Sequence, residues 1–244
     1  FDGTVYLIFQ PAEEGLKGAY KMIDDGLFKD FDADYVFGMH NWPWLPVGQV
    51  ETRVGPLTAN VGKFDITITG QGGHGAMPHQ TVDPVMVGTQ LSSAIQTIVS
   101  RNIDPIATAV VSITNLNSGT GAFNIIPDTA TLNGTIRTFD AASKDLILER
   151  IETLSHQIAQ AFGATANVEF SFSAEATINT ADAVDMVKKA ADRIIGIENL
   201  NAECPPYMIG EDFGAYLQQK PGAFILIGQG TGNPKSPHDQ GLHS

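Results

Sequence analysis

The sequence is poor in several things at once. It has one cysteine, Cys204, in 244 residues, so no disulfide can form within the chain, and a reducing cytoplasmic compartment is the expected setting. Basic residues are scarce: 14 Lys and Arg against 27 Asp and Glu, a formal net charge of −13. A field of that sign repels polyanions, which disfavours nucleic acid and anionic membranes as partners. No apolar run approaches the ~18 residues a membrane helix needs, and no signal peptide precedes Phe1. Both ends are read as cuts through a larger protein, because Phe1 leads straight into an apolar run and Gly241-Leu242-His243-Ser244 carries no capping element.

What is present is a chain with 43% hydrophobic residues, enough for one large core or two modest ones. Val5-Tyr6-Leu7-Ile8-Phe9 is a continuous apolar run that reads as a strand buried on both faces. A helix is expected from about Leu16 to Phe28, and Tyr35 to Met39 reads as a second buried strand ending at His40. Strand, helix and strand imply a parallel sheet with a right-handed crossover. Trp42-Pro43-Trp44-Leu45-Pro46 reads as a stiff loop.

The pattern changes after Pro56. Lys63 to Thr69 alternates, as a strand with one open face does. Asp83 to Ile103 reads as a helix with Val85, Met86, Leu91, Ile95, Ile98 and Val99 in its stripe. Strands follow at Ala107 to Leu116 and Thr129 to Phe139. A helix from Ser143 to Phe162 carries Leu146, Ile147, Ile151, Leu154, Ile158 and Phe162, with Ser143 as its cap, and Asn167 to Phe172 alternates again. The order β-α-β-β-α-β is that of a ferredoxin-like domain. Buried-strand signals then resume: helices are expected at Ala181 to Ile195 and Glu211 to Lys220, and a strand at Ala223 to Ile227. The fold class is therefore α/β, with residues 58–172 inserted between 1–57 and 173–244.

The residues with chemical potential fall at predicted strand ends. Glu13-Glu14 follows the first run, at the edge where open α/β sheets bind ligands. Paired carboxylates repel and call for a cation, though a solvated acidic turn is the commoner meaning of such a pair. His40 ends the next strand and His243 follows the last after a Gly/Pro-rich loop; each alone is more often a surface histidine. Converging on one edge, Glu and His are ligands suited to Zn, Mn or Co. His74 lies in the Gly70-to-His79 loop, which lacks the lysine or fingerprint of a phosphate site. Arg137 is out of phase with Leu132 and Ile136, so it belongs on the open sheet face. There it is either an ordinary surface arginine or a bidentate carboxylate clamp. His156 lies off its helix's apolar stripe and is expected to be exposed.

Seven segments together resemble one family, the dinuclear metallohydrolases of aminoacylase, carboxypeptidase G and succinyl-diaminopimelate desuccinylase, and within it the hippurate hydrolase and auxin-conjugate amidohydrolase branch. They are Gln10-Pro11-Ala12-Glu13-Glu14-Gly15, Gly38-Met39-His40-Asn41-Trp42-Pro43, Gly72-to-His79, Phe123-Asn124-Ile125-Ile126-Pro127-Asp128, Gly134-to-Phe139, Gly210-Glu211-Asp212-Phe213 and Leu242-His243-Ser244. The resemblance implies a zinc-peptidase-like catalytic domain, present in part, with an inserted lid and dimerisation domain. Glu13 is then the general base that deprotonates the attacking water, and Glu14, His40 and His243 are metal ligands. His74 and Asn124 contact the scissile carbonyl and the substrate carboxylate, which Arg137 grips. The implied cofactor is a pair of divalent ions (Mn, Zn, Co or Ni) in the full-length parent. The substrate is an N-acyl-amino acid, hydrolysed by a homodimer, with a dipeptidase or carboxypeptidase as the near alternative. The branch's Gly-Cys-Gly-His-Asp-x-His segment, which supplies two further ligands, does not occur here. The implied metal site is therefore partial, and a non-catalytic dimeric binding module is the alternative from another class. Ile209 stands where relatives often have Gly.

Overall fold

A computed structural model describes residues 2–15 and 17–233. Its strands are β1 (Val36–Pro46), β2 (Val50–Glu51), β3 (Gly55–Thr58), β4 (Val61–Thr69), β5 (Gly73–His74), β6 (Ala109–Ser118), β7 (Ile125–Ile126), β8 (Thr129–Thr138), β9 (Thr165–Ala174), β10 (Thr177–Asn179), β11 (Leu200–Asn201) and β12 (Gly222–Gly230). Its helices are α1 (Gly18–Asp24), α2 (Leu27–Asp30), α3 (Pro84–Arg101), α4 (Ala141–Ala161), α5 (Ala181–Ile194) and α6 (Gly214–Leu217). They form two compact units, one of Phe1–Ala59 with Ser173–Ser244, the other of Asn60–Phe172.

The first unit is built on a mixed sheet in the order β1-β12-β2-β11. Strands β1 and β12 run parallel, with His40 opposite Leu226 and Trp42 opposite Gly228. The core beside them contains Trp42, Leu45, Leu57, Phe213, Tyr216, Phe224 and Leu226. Several sequence expectations change here. The Val5 to Phe9 run forms no strand. Val5, Leu7 and Phe9 are 67%, 76% and 86% exposed, because apolar character makes a strand only where a ladder partner is available, and among the described residues this run has none. The strand–helix–strand crossover expected from it is therefore not formed. The helix expected from Leu16 to Phe28 is two short helices, split where Gly26 adopts φ 102°, a left-handed conformation that ends one turn and starts another. Trp42 to Pro46 is not a loop but the end of β1, with a register shift between Trp42 and Pro46. Proline is tolerated there because, among the described residues, no strand pairs with the outer side of β1, so its outer N–H groups need no ladder partner. Of the helix expected over Glu211 to Lys220, only α6 forms.

The second unit is an antiparallel sheet, β6-β8-β4-β9, whose long connections β4 to β6 and β8 to β9 run through α3 and α4. Alternation along β4 buries Phe64, Ile66 and Ile68 against Leu91, Ile95, Ile98, Ile147 and Ile151. The helix stripes differ slightly from the expected ones. Val85 and Met86 lie outside the α3 stripe, which is completed by Val87, and Phe162 is half exposed beyond the end of α4. The cap of α4 is Asp140, whose Oδ1 accepts from the Ser143 N–H at 2.7 Å; Ser143 is one turn inside. His156 is exposed, as its phase requires. No helix among the described residues is long and apolar enough to cross a membrane.

Candidate active site

In the first unit, Gln10 to Gly15 is an extended segment ending in a single 3₁₀ turn, Glu13–Gly15. Ala12, immediately before Glu13, has φ 55°. For a residue with a Cβ, that left-handed conformation costs about 1–3 kcal/mol and persists only where neighbours enforce it. The neighbour is Asp212, fully buried. Its Oδ1 and Oδ2 accept from the Gln10 side-chain amide at 2.7 and 2.9 Å, and Oδ2 also accepts from the Ala19 N–H at 3.0 Å. The loop closes so tightly that a Cβ on Gly18 would stand 1.7 Å from the Pro11 carbonyl oxygen; only glycine fits.

Glu13, Glu211 and Asp212 bring carboxylate oxygens within 4.8 Å of one another, the one group of three potential metal ligands among the described residues. Glu211 is 5% exposed. Burial pushes its carboxyl up to about 8, and the Glu13 and Asp212 charges add to the rise against the opposing Phe213 N–H. The carboxyl therefore holds a proton that an ordinary glutamate would have lost, so the cluster can carry a carboxylic acid beside a carboxylate. Asp212 already accepts three hydrogen bonds and has little capacity left for a cation. The surplus acidity does fit a site that takes one.

The shift has a consequence for stability in chelator. The folded protein binds the Glu211 proton more tightly than the unfolded chain, whose glutamate titrates near 4.5. Stability from this group is thus full below about pH 4.5 and lost as pH rises towards 8, at no more than about 1.4 kcal/mol per pH unit. Melting temperature in EDTA should fall across that window in the wild type, and more shallowly in Glu211→Gln.

Among the expected ligands, Glu14 is exposed next to Glu13 in the turn. His40 sits near the middle of β1, packed edge-on against Trp42 and Phe224. Its Nδ1 lies 2.6 Å from the Asn41 carbonyl oxygen. That oxygen can only accept, so Nδ1 carries the proton and Nε2 keeps its lone pair, the arrangement that prepares a histidine to ligate. His243 lies outside the described residues.

The second unit holds the other expected residues. Strands β5 and β7 form a two-stranded ribbon pairing Gly73 with Ile126 and His74 with Ile125, and the Gly75 N–H donates to the Asn124 carbonyl at 2.8 Å. His74 and Asn124 are thereby neighbours. Asp128 braces the ribbon by accepting from the Gly72 N–H at 2.8 Å. The Ala76 N–H donates to His74 Nδ1 at 3.1 Å, so neutral His74 carries its proton on Nε2 and presents a donor. Arg137 lies on the β8 face opposite Leu132 and Ile136. Its Nη1 donates to Thr135 Oγ1 and, at 2.9 Å, to the Ile136 carbonyl, and burial pulls the guanidinium below its ordinary value.

The ribbon and Arg137 are at opposite ends of the sheet. Thr69 pairs with Thr129 where the ribbon departs, and Gly62 pairs with Ile136 at the far end. Eight residue steps along β8, at about 3.3–3.4 Å each, put roughly 27 Å between Thr129, where the ribbon departs, and Arg137. Within this unit, His74 and Asn124 come together, and Arg137 lies at the other end of β8 from the point where their ribbon departs. Glu211 and Asp212 belong to a motif in which the sequence alone assigns them no role. Read as the first turn of a helix they are ordinary exposed acids, and the overlooked signal is their position in an apolar stretch, Tyr207 to Phe213.

Comparison with known proteins identifies the family. The model of peptidase family M20/M25/M40 matches residues 1–242, and the chain belongs to that family. It is 40% identical over 227 residues to hippurate hydrolase of Campylobacter jejuni, covering 93% of this chain and 59% of that protein. It is 39% identical over 226 residues to N-acetylcysteine deacetylase of Bacillus subtilis, covering 93% and 58%. Among solved structures, the YXEP protein of Bacillus subtilis, described as a dinuclear metal-binding peptidase of the M20 family, aligns with a TM-score of 0.76 at 32% identity, over 90% of this chain and 54% of that one. The chain thus spans a little over half the length of these relatives.

Proposed function

We propose that the full-length protein is a metal-dependent amidohydrolase that cleaves the amide bond of N-acyl-amino acids, releasing a carboxylic acid and an amino acid. The observation that carries the reading is the carboxyl pair at the strained turn, Glu13 beside the buried Glu211. The names of the two relatives, one a hydrolase of hippurate and one a deacetylase of N-acetylcysteine, support the same bond type. Two divalent ions, of Mn, Zn, Co or Ni, would complete the site. Glu14, His40 and His243 would hold them, and when bound they would supply Lewis acidity to the scissile carbonyl. Glu13 takes the proton of the attacking water and passes it to the leaving amine. The His74 Nε2–H donates to the carbonyl oxygen as negative charge develops there. Asn124 and Arg137 bind the substrate carboxylate.

Those last assignments are read across two copies of the chain. The ribbon leaves the sheet at Thr129, about 27 Å along β8 from Arg137, which supports a reading in which His74 and Asn124 act on the site of a partner subunit. The Asn60–Phe172 unit is then both lid and dimerisation domain, and the open edges of its sheet at β6 and β9 offer strands for such pairing.

A substrate panel tests the reading. Turnover of hippurate and N-acetyl-amino acids above dipeptides is expected. The reverse order would favour the carboxypeptidase alternative, which a thermostable carboxypeptidase of Saccharolobus solfataricus at 39% identity keeps open, and no turnover of either would sink the reading. Arg137→Ala should lower kcat/KM for free acids by about tenfold or more, the loss of one charge-assisted hydrogen-bond pair, while sparing methyl esters. Equal losses on acids and esters would make Arg137 a structural residue.

A further inference from the structure

We infer that Asp212 is the positioning residue for the Glu13-Glu14 turn, a role that rests on the amidohydrolase reading for its catalytic meaning. The geometry is unusual for a structural aspartate. Its carboxylate arrives from a segment 202 residues away from Gln10 and 193 away from Ala19, and it grips the chain on both sides of the Glu pair. Gln10 lies before the pair and Ala19 after it, at the start of α1. One side chain thus sets the distance between the two ends of the loop that carries Glu13.

Three further features depend on that distance. Ala12 holds its left-handed conformation directly before Glu13. Gly18 lies against the Pro11 carbonyl oxygen with no room for a side chain. The carboxyl of Glu211, the residue before Asp212, approaches that of Glu13, so the element that fixes the loop also brings the second acid to it. A loop opened by the loss of Asp212 would keep both glutamates but lose their placement, and a displacement of about 1 Å at a reacting group can cost on the order of 10² in rate.

The hydrogen-bond pattern permits a reciprocal test in the full-length protein. Asp212 only accepts, and the Gln10 amide donates to both of its oxygens. Asp212→Asn replaces one acceptor by a donor, and Gln10→Glu sets two carboxylates against each other. When the two substitutions are combined, the introduced asparagine amide can donate to the introduced glutamate, while the asparagine oxygen still accepts from the Ala19 N–H. Each single substitution should lower kcat on hippurate by roughly 10- to 100-fold with KM near the wild-type value, and should speed hydrogen exchange at the amides of residues 12–15 ahead of the rest of the chain. The double variant should recover at least about tenfold in kcat, within that same range, and restore the exchange protection. A role confined to stability would move melting temperature without the split between kcat and KM. Wild-type exchange in the single variants, or a double variant no better than the worse single one, would overturn the inference. Exchange decides the matter even if wild-type turnover is absent, and that absence would count against the amidohydrolase reading alone.

Discussion

Glu13→Gln in the full-length protein should keep its metal and lose kcat by about 10²-fold or more, the usual consequence of removing a general base, if Glu13 has the proposed role. Glutamine occupies the same space and leaves the Gln10–Asp212 clasp intact, so the turn should fold as before. What disappears, on the proposed function, is the group that would accept the proton of the attacking water. Glu14→Gln, one residue further along the same turn, should fail in a different order, with metal affinity falling first and activity following the metal. Adjacent residues in a 3₁₀ turn point in different directions, which is why one can face the proton and the other a cation. Metal content and kcat measured on both variants separate the two roles, and equal metal loss in both would remove the division.

His74→Ala should lower kcat by about 10²–10³-fold, the range found when a preorganised donor to a developing oxyanion is removed. The prediction rests on the tautomer. Because Nδ1 accepts from the Ala76 N–H, the neutral ring can carry its proton only on Nε2, so the other ring nitrogen donates. The ribbon has supports besides the ring, in the Gly75-to-Asn124 bond and the Asp128 brace, so truncation should leave the loop in place. KM for hippurate near the wild-type value, with kcat collapsed, is the expected pattern. A raised KM at unchanged kcat would instead make His74 a residue of ground-state binding.

Much of the fold is legible in the sequence where burial is one-sided. Strands β4, β8 and β9 alternate because one face of their sheet packs on helices and the other does not, and the helices α3 and α4 reveal themselves by the same asymmetry. Legibility ends where partners decide. Val5 to Phe9 announces apolar surface but not what covers it. Trp42 to Pro46 reads as a loop when proline is treated as a breaker, whereas an edge strand tolerates it. Glu13, Glu14, His40 and His74 stand out as polar residues at predicted strand ends. Glu211 and Asp212 do not, since their importance comes from contacts about 200 residues away, which no local pattern encodes. The separation of Arg137 from His74 is latent in strand arithmetic, but it needs the register of β8 against β4 to become a distance.

Subunit exchange is the most direct test of the proposed shared site. Dimers of Glu13→Gln and dimers of His74→Ala, each nearly inactive, are mixed under conditions that exchange subunits, and hippurate turnover is followed alongside a measure of exchange. If a site takes Glu13 from one chain and His74 from the other, each mixed dimer contains one site with both wild-type groups, and activity reappears to as much as half of the wild-type value per mixed dimer. If both groups serve the same chain's site, every site in the mixed dimer still lacks one of them, and activity stays absent despite confirmed exchange.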